Sequence, residues 1–224
     1  MRVAFSFMFS TASPTPLTLV LGDRQLSSWS LRPWIPLKHL GLAFEAGRLR
    51  LDTPDFEQHI GAYSPTRQVP VLVDGTLTIW DSLAICEYAS EIAGGRGWPD
   101  HPTERARARA ASADMHSGFA ALRSHWPMQA TSTLRVALDA AGLADIARID
   151  ALWQAALGHH TADGPWLFGR YSIADAMYAP VALRFNTYGA DLSPLAGAYV
   201  ATTLSDPHLK EWLEGAKAEC TASR

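Results

Sequence analysis

The chain has 224 residues, 48% of them hydrophobic, and its 19 basic and 22 acidic residues give a formal net charge of -3. This apolar content is sufficient for a globular core, and the nearly balanced charge excludes the basic surface that nucleic-acid binding requires. Only Cys86 and Cys220 are present, which excludes a disulfide scaffold or a four-cysteine metal site and predicts a cytoplasmic location. No apolar run is long enough to predict a membrane span.

Residues 1–16 form a segment of their own, in which a short apolar run follows Arg2 and faintly resembles a signal peptide. Because the run is short and has a single positive charge, we expect a disordered extension or an upstream start codon and not a cleaved signal. The folded part is therefore predicted to begin at residue 17.

Turn residues and apolar periodicity predict that the first half of the chain alternates strands and helices. The predicted elements, in chain order, are a strand at 17–21, a helix at 30–40, a strand at 44–51, a short helix or irregular connection at 54–63, strands at 69–73 and 77–80, and a helix at 82–92. Pro33 and Pro36 are expected to interrupt the first helix, and Asp74-Gly75 suits the tight turn of an antiparallel hairpin. The order βαβ followed by ββα is typical of the thioredoxin-like α/β fold.

The composition changes at the glycine-rich stretch 94–99, beyond which β-branched runs disappear and alanine becomes abundant. Predicted helices follow at 103–125, 143–157, 173–185, 195–204 and 207–218, with breaks at Pro127, Gly142, Gly164-Pro165 and Pro194. We therefore predict a thioredoxin-like N-terminal domain at 17–94, a linker at 95–102 and an all-α C-terminal helical domain at 103–224.

A serine-rich turn, Ser27-Ser28-Trp29-Ser30, lies at the start of the first predicted helix. Serine hydroxyls in this position can donate hydrogen bonds to a thiolate, and the helix N-terminus adds partial positive charge. Lowering a thiol pKa by two units requires about 2.7 kcal/mol, which one such hydrogen bond and the helix dipole can supply together. The alternative is that one serine caps the helix and the others make local hydrogen bonds.

Two further motifs flank the predicted hairpin. In Gln68-Val69-Pro70-Val71 the proline stands at a strand entrance, and a cis Val69-Pro70 bond would turn the Val69 backbone outward to pair with a peptide. Asp81-Ser82 places a carboxylate and a hydroxyl at a helix N-terminus, where free N–H groups suit a ligand carboxylate. The alternatives are an ordinary edge-strand proline and a plain N-cap. The three motifs together predict a site for a small thiol peptide.

The motifs together resemble the glutathione S-transferase superfamily, over about residues 17–219. Residues 27–34 resemble the Ser-Ser-Cys-Ser-Trp-Arg stretch of the zeta-class transferases, the maleylacetoacetate isomerases, and resemble still more the bacterial transferases that carry Ser-Ser-Trp-Ser. Residues 64–72 resemble the family's Asn-Pro-x-x-x-Val-Pro-x-Leu, and Asp81-Ser82 stands where the family has Glu-Ser or Asp-Ser. Trp29 replaces the zeta-class cysteine, and neither a tyrosine after the first strand nor a Cys-Pro-x-Cys motif is present.

The resemblance implies a role for each matching residue. Ser27 takes the place of the zeta-class thiol-activating serine, and Ser28 is the alternative. Glutathione, as cosubstrate, is expected to contact Gln68, Val69, Pro70, Asp81 and Ser82. The electrophile pocket is expected near Trp29, Met115, His116, Phe119 and Trp126, although aromatic residues at helical spacing are also typical of cores.

Three other motifs are assigned to the scaffold. Ser172 and Asp175 match the signature of a helical capping box and are expected to matter for folding. The alternating Arg105, Arg107 and Arg109 are expected to form a solvated face, or part of the dimer interface that the resemblance implies. His159-His160 has no other ligands at metal-site spacing nearby, so we expect a helix end there and no metal.

The sequence therefore predicts a cytoplasmic glutathione transferase that conjugates the glutathione thiolate to a small apolar electrophile, as in detoxification. The resemblance also implies a homodimer, and no nucleic-acid or membrane partner is expected. Two alternatives stay open: a glutathione-dependent cis-trans isomerase of the maleylacetoacetate type, and a non-catalytic glutathione-transferase-like binding or regulatory subunit. A glutathione-dependent reductase or peroxidase is a further alternative.

Overall fold

The computed structural model describes residues 16–160 and 163–222. The predicted disordered extension lies outside the described residues, apart from Pro16. The strands are β1 (Leu17–Leu21), β2 (Phe44–Arg48), β3 (Val71–Asp74) and β4 (Leu77–Ile79). The helices are α1 (Ser28–His39), α2 (Pro54–His59), α3 (Ser82–Ile92), α4 (Pro102–Ser117), α5 (Ala120–His125), α6 (Ala140–His160), α7 (Ile173–Tyr188), α8 (Pro194–Ser205) and α9 (Pro207–Ala222).

The four strands form one sheet in the order β2-β1-β3-β4, with β1 parallel to β2 and antiparallel to β3. Strands β3 and β4 form the predicted hairpin, and Gly75 in its turn adopts the positive φ of 58° that favours glycine. Helix α1 packs against α3 of the same domain and against α7 of the helical domain. This sheet with its helices, followed by helices α4 to α9, confirms the predicted fold class.

Helix α7 forms the centre of the helical domain, since it packs against α1, α4 and α8 and nearly all of its residues are buried. The rings of Tyr178, Phe185 and Tyr199 all meet the Trp153 ring edge to face, with centroids 4.7 to 5.7 Å apart. Such aromatic packing is favourable beyond the apolar area that it buries. The domain therefore offers a rigid wall against which α1 is held. Within the described residues, no helix is both long and apolar enough to span a membrane.

Helix α1 continues through Pro33 and Pro36, so the prediction that they interrupt it is wrong. A proline removes the N–H that would bond the carbonyl four residues earlier. Here the freed carbonyls of Trp29 and Arg32 accept hydrogen bonds from α3 instead: the Ser82 hydroxyl lies 3.0 Å from the Trp29 oxygen, and the Cys86 thiol 3.8 Å from the Arg32 oxygen. The hydrogen bonds to these two carbonyls thus link α1 to α3.

The helix predicted at 103–125 is divided into α4 and α5 at Gly118 and Phe119, where Phe119 has a φ of 57°. This left-handed turn buries the Phe119 ring in the helical core, and the Asp145 carboxylate accepts a hydrogen bond from Leu122 N–H at the start of α5. Gly142, a predicted break, lies inside α6 because the Asp139 carboxylate accepts its N–H at 2.8 Å and caps that helix.

The predicted capping box of α7 is present and belongs to a larger network around the Asp175 carboxylate. The carboxylate accepts the Ser172 N–H at 2.8 Å, and the Ser172 hydroxyl, the Leu167 N–H and the Tyr199 hydroxyl at 3.0 Å each. Asp175 is 1% exposed, and burial raises its pKa to about 6 while the donors lower it. The network joins the loop before α7 to α8.

Candidate active site

The three motifs meet at one cleft between the sheet domain and the helical domain, with a volume of about 680 Å³. The predicted site residues that line it are Ser27, Ser28, Trp29, Gln68, Val69, Pro70, Asp81, Ser82 and His116. They come from the N-termini of α1 and α3, the loop before β3 and helix α4. The cleft is large enough for a ligand of tripeptide size.

Ser27 is the N-cap of α1, and its hydroxyl is engaged within the turn. Its Oγ accepts the Ser30 N–H at 3.3 Å and donates to the Ser30 Oγ at 2.7 Å. The Ser30 Oγ in turn accepts the Gly22 N–H at 3.0 Å, which fixes the turn to the end of β1. The alternative interpretation of the serine-rich turn, in which one serine caps the helix, therefore applies to Ser27.

Ser28, the first residue of α1, has a different environment. Its Oγ accepts a long hydrogen bond of 3.4 Å from Nη2 of Arg184 on α7. No acceptor among the described residues takes the hydrogen of the Ser28 hydroxyl. Because Ser28 lines the cleft at a helix N-terminus, this hydroxyl is the better placed of the two to donate to a ligand sulfur.

Val69 precedes β3, and its peptide bond to Pro70 is cis. Pro70 is buried and Val69 is half-buried at the cleft wall. Within the part of the chain that the structure describes, neither backbone group of Val69 makes a hydrogen bond. Both groups are therefore free to pair with an extended peptide.

Asp81 caps α3 and also contacts the helical domain. Its Oδ1 accepts the N–H groups of Leu83 and Ala84 at 2.9 Å each, and its Oδ2 lies 3.1 Å from Nε2 of His116 on α4. The His116 ring also meets the Trp29 ring edge to face, with centroids 5.3 Å apart. His116 thus lies beside the Asp81 carboxylate.

The Ser82 hydroxyl is used by the scaffold, because it donates to the Trp29 carbonyl. Since Asp81 takes the next two N–H groups, the backbone N–H of Ser82 is the first-turn donor left for a ligand carboxylate. We expect Ser82→Ala to lower the free energy of unfolding by about 1 kcal/mol, because the partly buried Trp29 carbonyl loses its hydrogen-bond partner. The dissociation constant for glutathione should change by less than about threefold. Urea unfolding and calorimetric titration measure the two quantities, and a large loss of affinity with unchanged stability would contradict this assignment.

Met115, Phe119 and Trp126, expected near the electrophile pocket, do not line this cleft. They belong to the core of the helical domain, with 0%, 2% and 6% exposure. Met115 lies on the inner face of α4 and packs into that core, and the left-handed turn at Phe119 places the Phe119 ring there as well. We therefore leave them out of the proposed site.

Two arginines that sequence reasoning missed, Arg123 and Arg184, line the cleft on the helical-domain side. Arg184 is 4% exposed, and its Nε donates to the Trp126 carbonyl at 2.7 Å. Burial, and then the neighbouring Arg123 charge, lower the pKa of Arg184 to about 10. The sequence does contain a signal, since Arg184 is the one basic residue of α7, a helix that is mostly apolar.

No group of three or more His, Cys, Asp or Glu side chains in the described ranges could hold a metal ion. His160 ends α6, as expected for the paired histidines, and its Nε2 lies 2.9 Å from Oε2 of Glu104.

A thioredoxin-like domain with a peptide-sized cleft against an all-helical domain is the architecture of glutathione transferases. The chain belongs to the glutathione S-transferase family: the model of that family's N-terminal domain matches residues 26–92, and the model of its C-terminal domain matches residues 104–215.

Curated relatives match the chain over short stretches. The dichloromethane dehalogenase of Methylorubrum extorquens is 44% identical over 46 residues, which are 20% of this chain and 16% of the relative. The probable maleylacetoacetate isomerase of Vibrio cholerae serotype O1 is 32% identical over 103 residues, 44% of this chain and 48% of the relative. The chain thus spans less than half of the length of each of these relatives.

Solved structures match over nearly the whole chain. A glutathione transferase homologue from Burkholderia GL BGR1, with bound glutathione, has a TM-score of 0.70 at 25% identity. The match covers 91% of this chain and 100% of the homologue's chain. The theta-class glutathione S-transferase of Xanthomonas axonopodis pv. citri, also with glutathione bound, has a TM-score of 0.63 at 22% identity over 89% of this chain and 98% of its own. The second likeness shows the fold alone.

Proposed function

We propose that this protein is a glutathione transferase of the serine type, which joins the glutathione sulfur to an electrophilic carbon. The observation that carries the proposal is the meeting of three groups in one cleft: the Ser28 hydroxyl, the unpaired Val69 backbone and the N-terminus of α3. The similar Burkholderia structure with bound glutathione supports the choice of ligand.

In the proposed complex the γ-glutamyl carboxylate binds the Ser82 N–H, and the ammonium group binds the Asp81 carboxylate, where it competes with His116 for Oδ2. The cysteinyl backbone pairs with Val69, and Gln68 lies beside it at the cleft wall. These contacts place the cysteinyl sulfur near the start of α1, where Ser28 lies.

The Ser28 hydroxyl donates to the sulfur, and the α1 dipole further favours the anion. The thiol proton leaves to solvent, so no general base is required. For a substrate with a leaving group, the thiolate electron pair forms the carbon–sulfur bond while the halide departs with its own bonding pair. Glutathione and the organic halide thus become the thioether, a proton and a halide ion.

An ultraviolet difference titration of the purified protein with glutathione at neutral pH tests the proposal. A saturable thiolate band is expected, followed by conjugation of 1-chloro-2,4-dinitrobenzene. Binding without the band would contradict thiol activation, and the absence of binding would favour the regulatory-subunit alternative.

Asp81→Asn is expected to weaken glutathione binding about tenfold, because the ligand ammonium group loses its counter-charge. Stability should change little, since asparagine is as good an N-cap as aspartate. Titration of wild type and variant with glutathione and with its analogue that lacks the amino group checks the role. The variant should bind the analogue as well as the wild type does, whereas an equal loss for both ligands would overturn the contact.

A second candidate activity is the glutathione-dependent cis-trans isomerisation, which the Vibrio relative favours. Addition of the thiolate to a double bond, rotation and elimination would use the same sulfur site. Trp29 stands in the cleft where the zeta class has cysteine, so we keep conjugation as the first proposal.

We further propose a cytoplasmic homodimer that detoxifies electrophiles. Cys86 and Cys220 are both free, in keeping with a reducing compartment. Leu77, which is 46% exposed in the edge strand β4, supports contact with a second copy.

A further inference from the structure

We propose that Arg123 and Arg184 form an anion-binding subsite on the helical-domain wall of the cleft, and that the electrophilic cosubstrate carries a carboxylate that binds there. This inference rests on the proposed transferase function and replaces the expected apolar electrophile by an anionic one.

The two guanidinium groups donate hydrogen bonds only to neutral partners among the described residues, although the Asp145 charge also acts on Arg123. Arg184 donates to the carbonyls of Trp126 and Pro180 at 2.7 and 3.2 Å and to the Ser28 Oγ at 3.4 Å. Arg123 donates to the His116 carbonyl at 3.2 Å. No ion pair with a carboxylate is formed by either side chain in the described ranges. Both line the cleft, so an incoming anion can reach them.

A third positive charge, Arg32, lies behind them. Arg32 is 0% exposed, and its Nη2 has no hydrogen-bond partner among the described residues. The guanidinium carbons of Arg32 and Arg123 lie 4.3 and 5.0 Å from the Trp29 ring centroid. Burial, followed by the charges of Arg184 and Arg123, holds the pKa of Arg32 well below its ordinary value. Like charges held close together are costly, and although the Asp145 charge acts on the half-buried Arg123, no carboxylate in the described ranges forms an ion pair with any of the three. An anion in the cleft would relieve that cost.

The acidic residues of the cleft do not supply this counter-charge. Asp81 is the one carboxylate lining the cleft in the described residues, and its two oxygens are used by α3 and His116. Arg67, a further cleft arginine, is already paired with Glu57 at 2.8 Å, so it differs from Arg123 and Arg184. The cleft-lining arginines without an ion pair are therefore Arg123 and Arg184, both on the helical-domain wall.

The subsite is also in the right place for the reaction. Arg184 contacts the same Oγ of Ser28 that is proposed to hold the thiolate. A carboxylate bound to Arg184 would therefore keep the rest of a small electrophile close to the sulfur, and such positioning accelerates a two-substrate reaction.

A matched pair of electrophiles tests the subsite: 1-chloro-2,4-dinitrobenzene, which is neutral, and 4-chloro-3,5-dinitrobenzoate, which reacts by the same chloride displacement but carries a carboxylate. We expect both Arg123→Met and Arg184→Lys to lower the ratio of kcat/KM for the benzoate to kcat/KM for the neutral probe. In Arg123→Met this ratio should fall about tenfold, mainly because KM for the benzoate rises. Arg107→Met, on the exposed face of α4 and outside the cleft, is the control and should leave the ratio unchanged.

A binding measurement tests the subsite independently of turnover. Calorimetry with 3,5-dinitrobenzoate, which has no leaving group, should show binding to wild type and Arg107→Met and about tenfold weaker binding to Arg123→Met. Arginine-dependent binding without turnover of either probe would keep the subsite and overturn the proposed transferase. Turnover of both probes with an unchanged kcat/KM ratio in the variants would overturn the subsite. Loss of glutathione affinity in the variants would instead assign the arginines to a glutathione carboxylate. A raised pKa of the glutathione thiol would assign them to the thiolate.

Discussion

Ser28→Ala is expected to lower kcat/KM for glutathione conjugation about 30-fold, since the thiolate loses a charge-assisted hydrogen bond of roughly 2 kcal/mol and keeps the contribution of the helix dipole. The affinity for glutathione should change little, because Val69, Asp81 and the Ser82 N–H are the groups proposed to hold the peptide. The pH profile supplies a readout that a purely structural role would not move. The loss should shrink as the pH rises above about 8.5, where the free thiol ionises without help.

Ser27→Ala is the matched control, one residue away in the same turn. Its hydroxyl caps α1 and donates to Ser30, so the variant should lose about 1 kcal/mol of stability and less than about tenfold of activity. Steady-state kinetics and urea unfolding of both variants separate the roles. A larger activity loss in Ser27→Ala than in Ser28→Ala would show that the family match, which favours Ser27, assigns the thiol-activating serine correctly.

The sequence predicts the elements that local patterns define. Hairpin β3–β4 follows from its Asp74-Gly75 turn, and the capping box of α7 from Ser172 and Asp175, because the signals lie within a few residues of each other. The prolines of α1 show the limit of such rules. Pro33 is tolerated because Ser82, far along the chain, donates to the carbonyl that the proline frees. A local pattern contains no information about that donor.

The same distinction applies to the candidate site. Ser28, Val69 and Asp81 are found by their motifs, since each lies at a turn or helix start with its own local signature. Arg184 is 156 residues from Ser28 in sequence and meets it only because α7 packs against α1. A single arginine in a mostly apolar helix indicates a buried charge, but only the packing of the domains shows that this charge lies at the cleft.

Asp175→Ala is expected to cost about 4 kcal/mol of stability, a large part of what a domain of this kind has, because it leaves the buried donors of Ser172, Leu167 and Tyr199 without an acceptor. Because such a variant is expected to aggregate, Asp175→Asn, which keeps one acceptor oxygen, is the quantitative test and should lose about 2 kcal/mol in urea unfolding. Tyr199→Phe, which removes one donor and strands none, should lose about 1 kcal/mol. A loss for Asp175→Asn no larger than for Tyr199→Phe would contradict the network's importance.

The pH dependence of the Asp175→Asn effect gives an independent check. Burial raises the folded-state pKa of Asp175 to about 6, above its unfolded value, so its stabilising protonation is complete at low pH and is lost as the pH rises through about 6. The stability difference between wild type and Asp175→Asn should therefore be about 1 kcal/mol larger at a pH of about 5 than at about 7.5. Other carboxylates titrate alike in both proteins and cancel in this difference. A difference that grows with rising pH would show instead that the four donors outweigh burial and hold the carboxylate ionised.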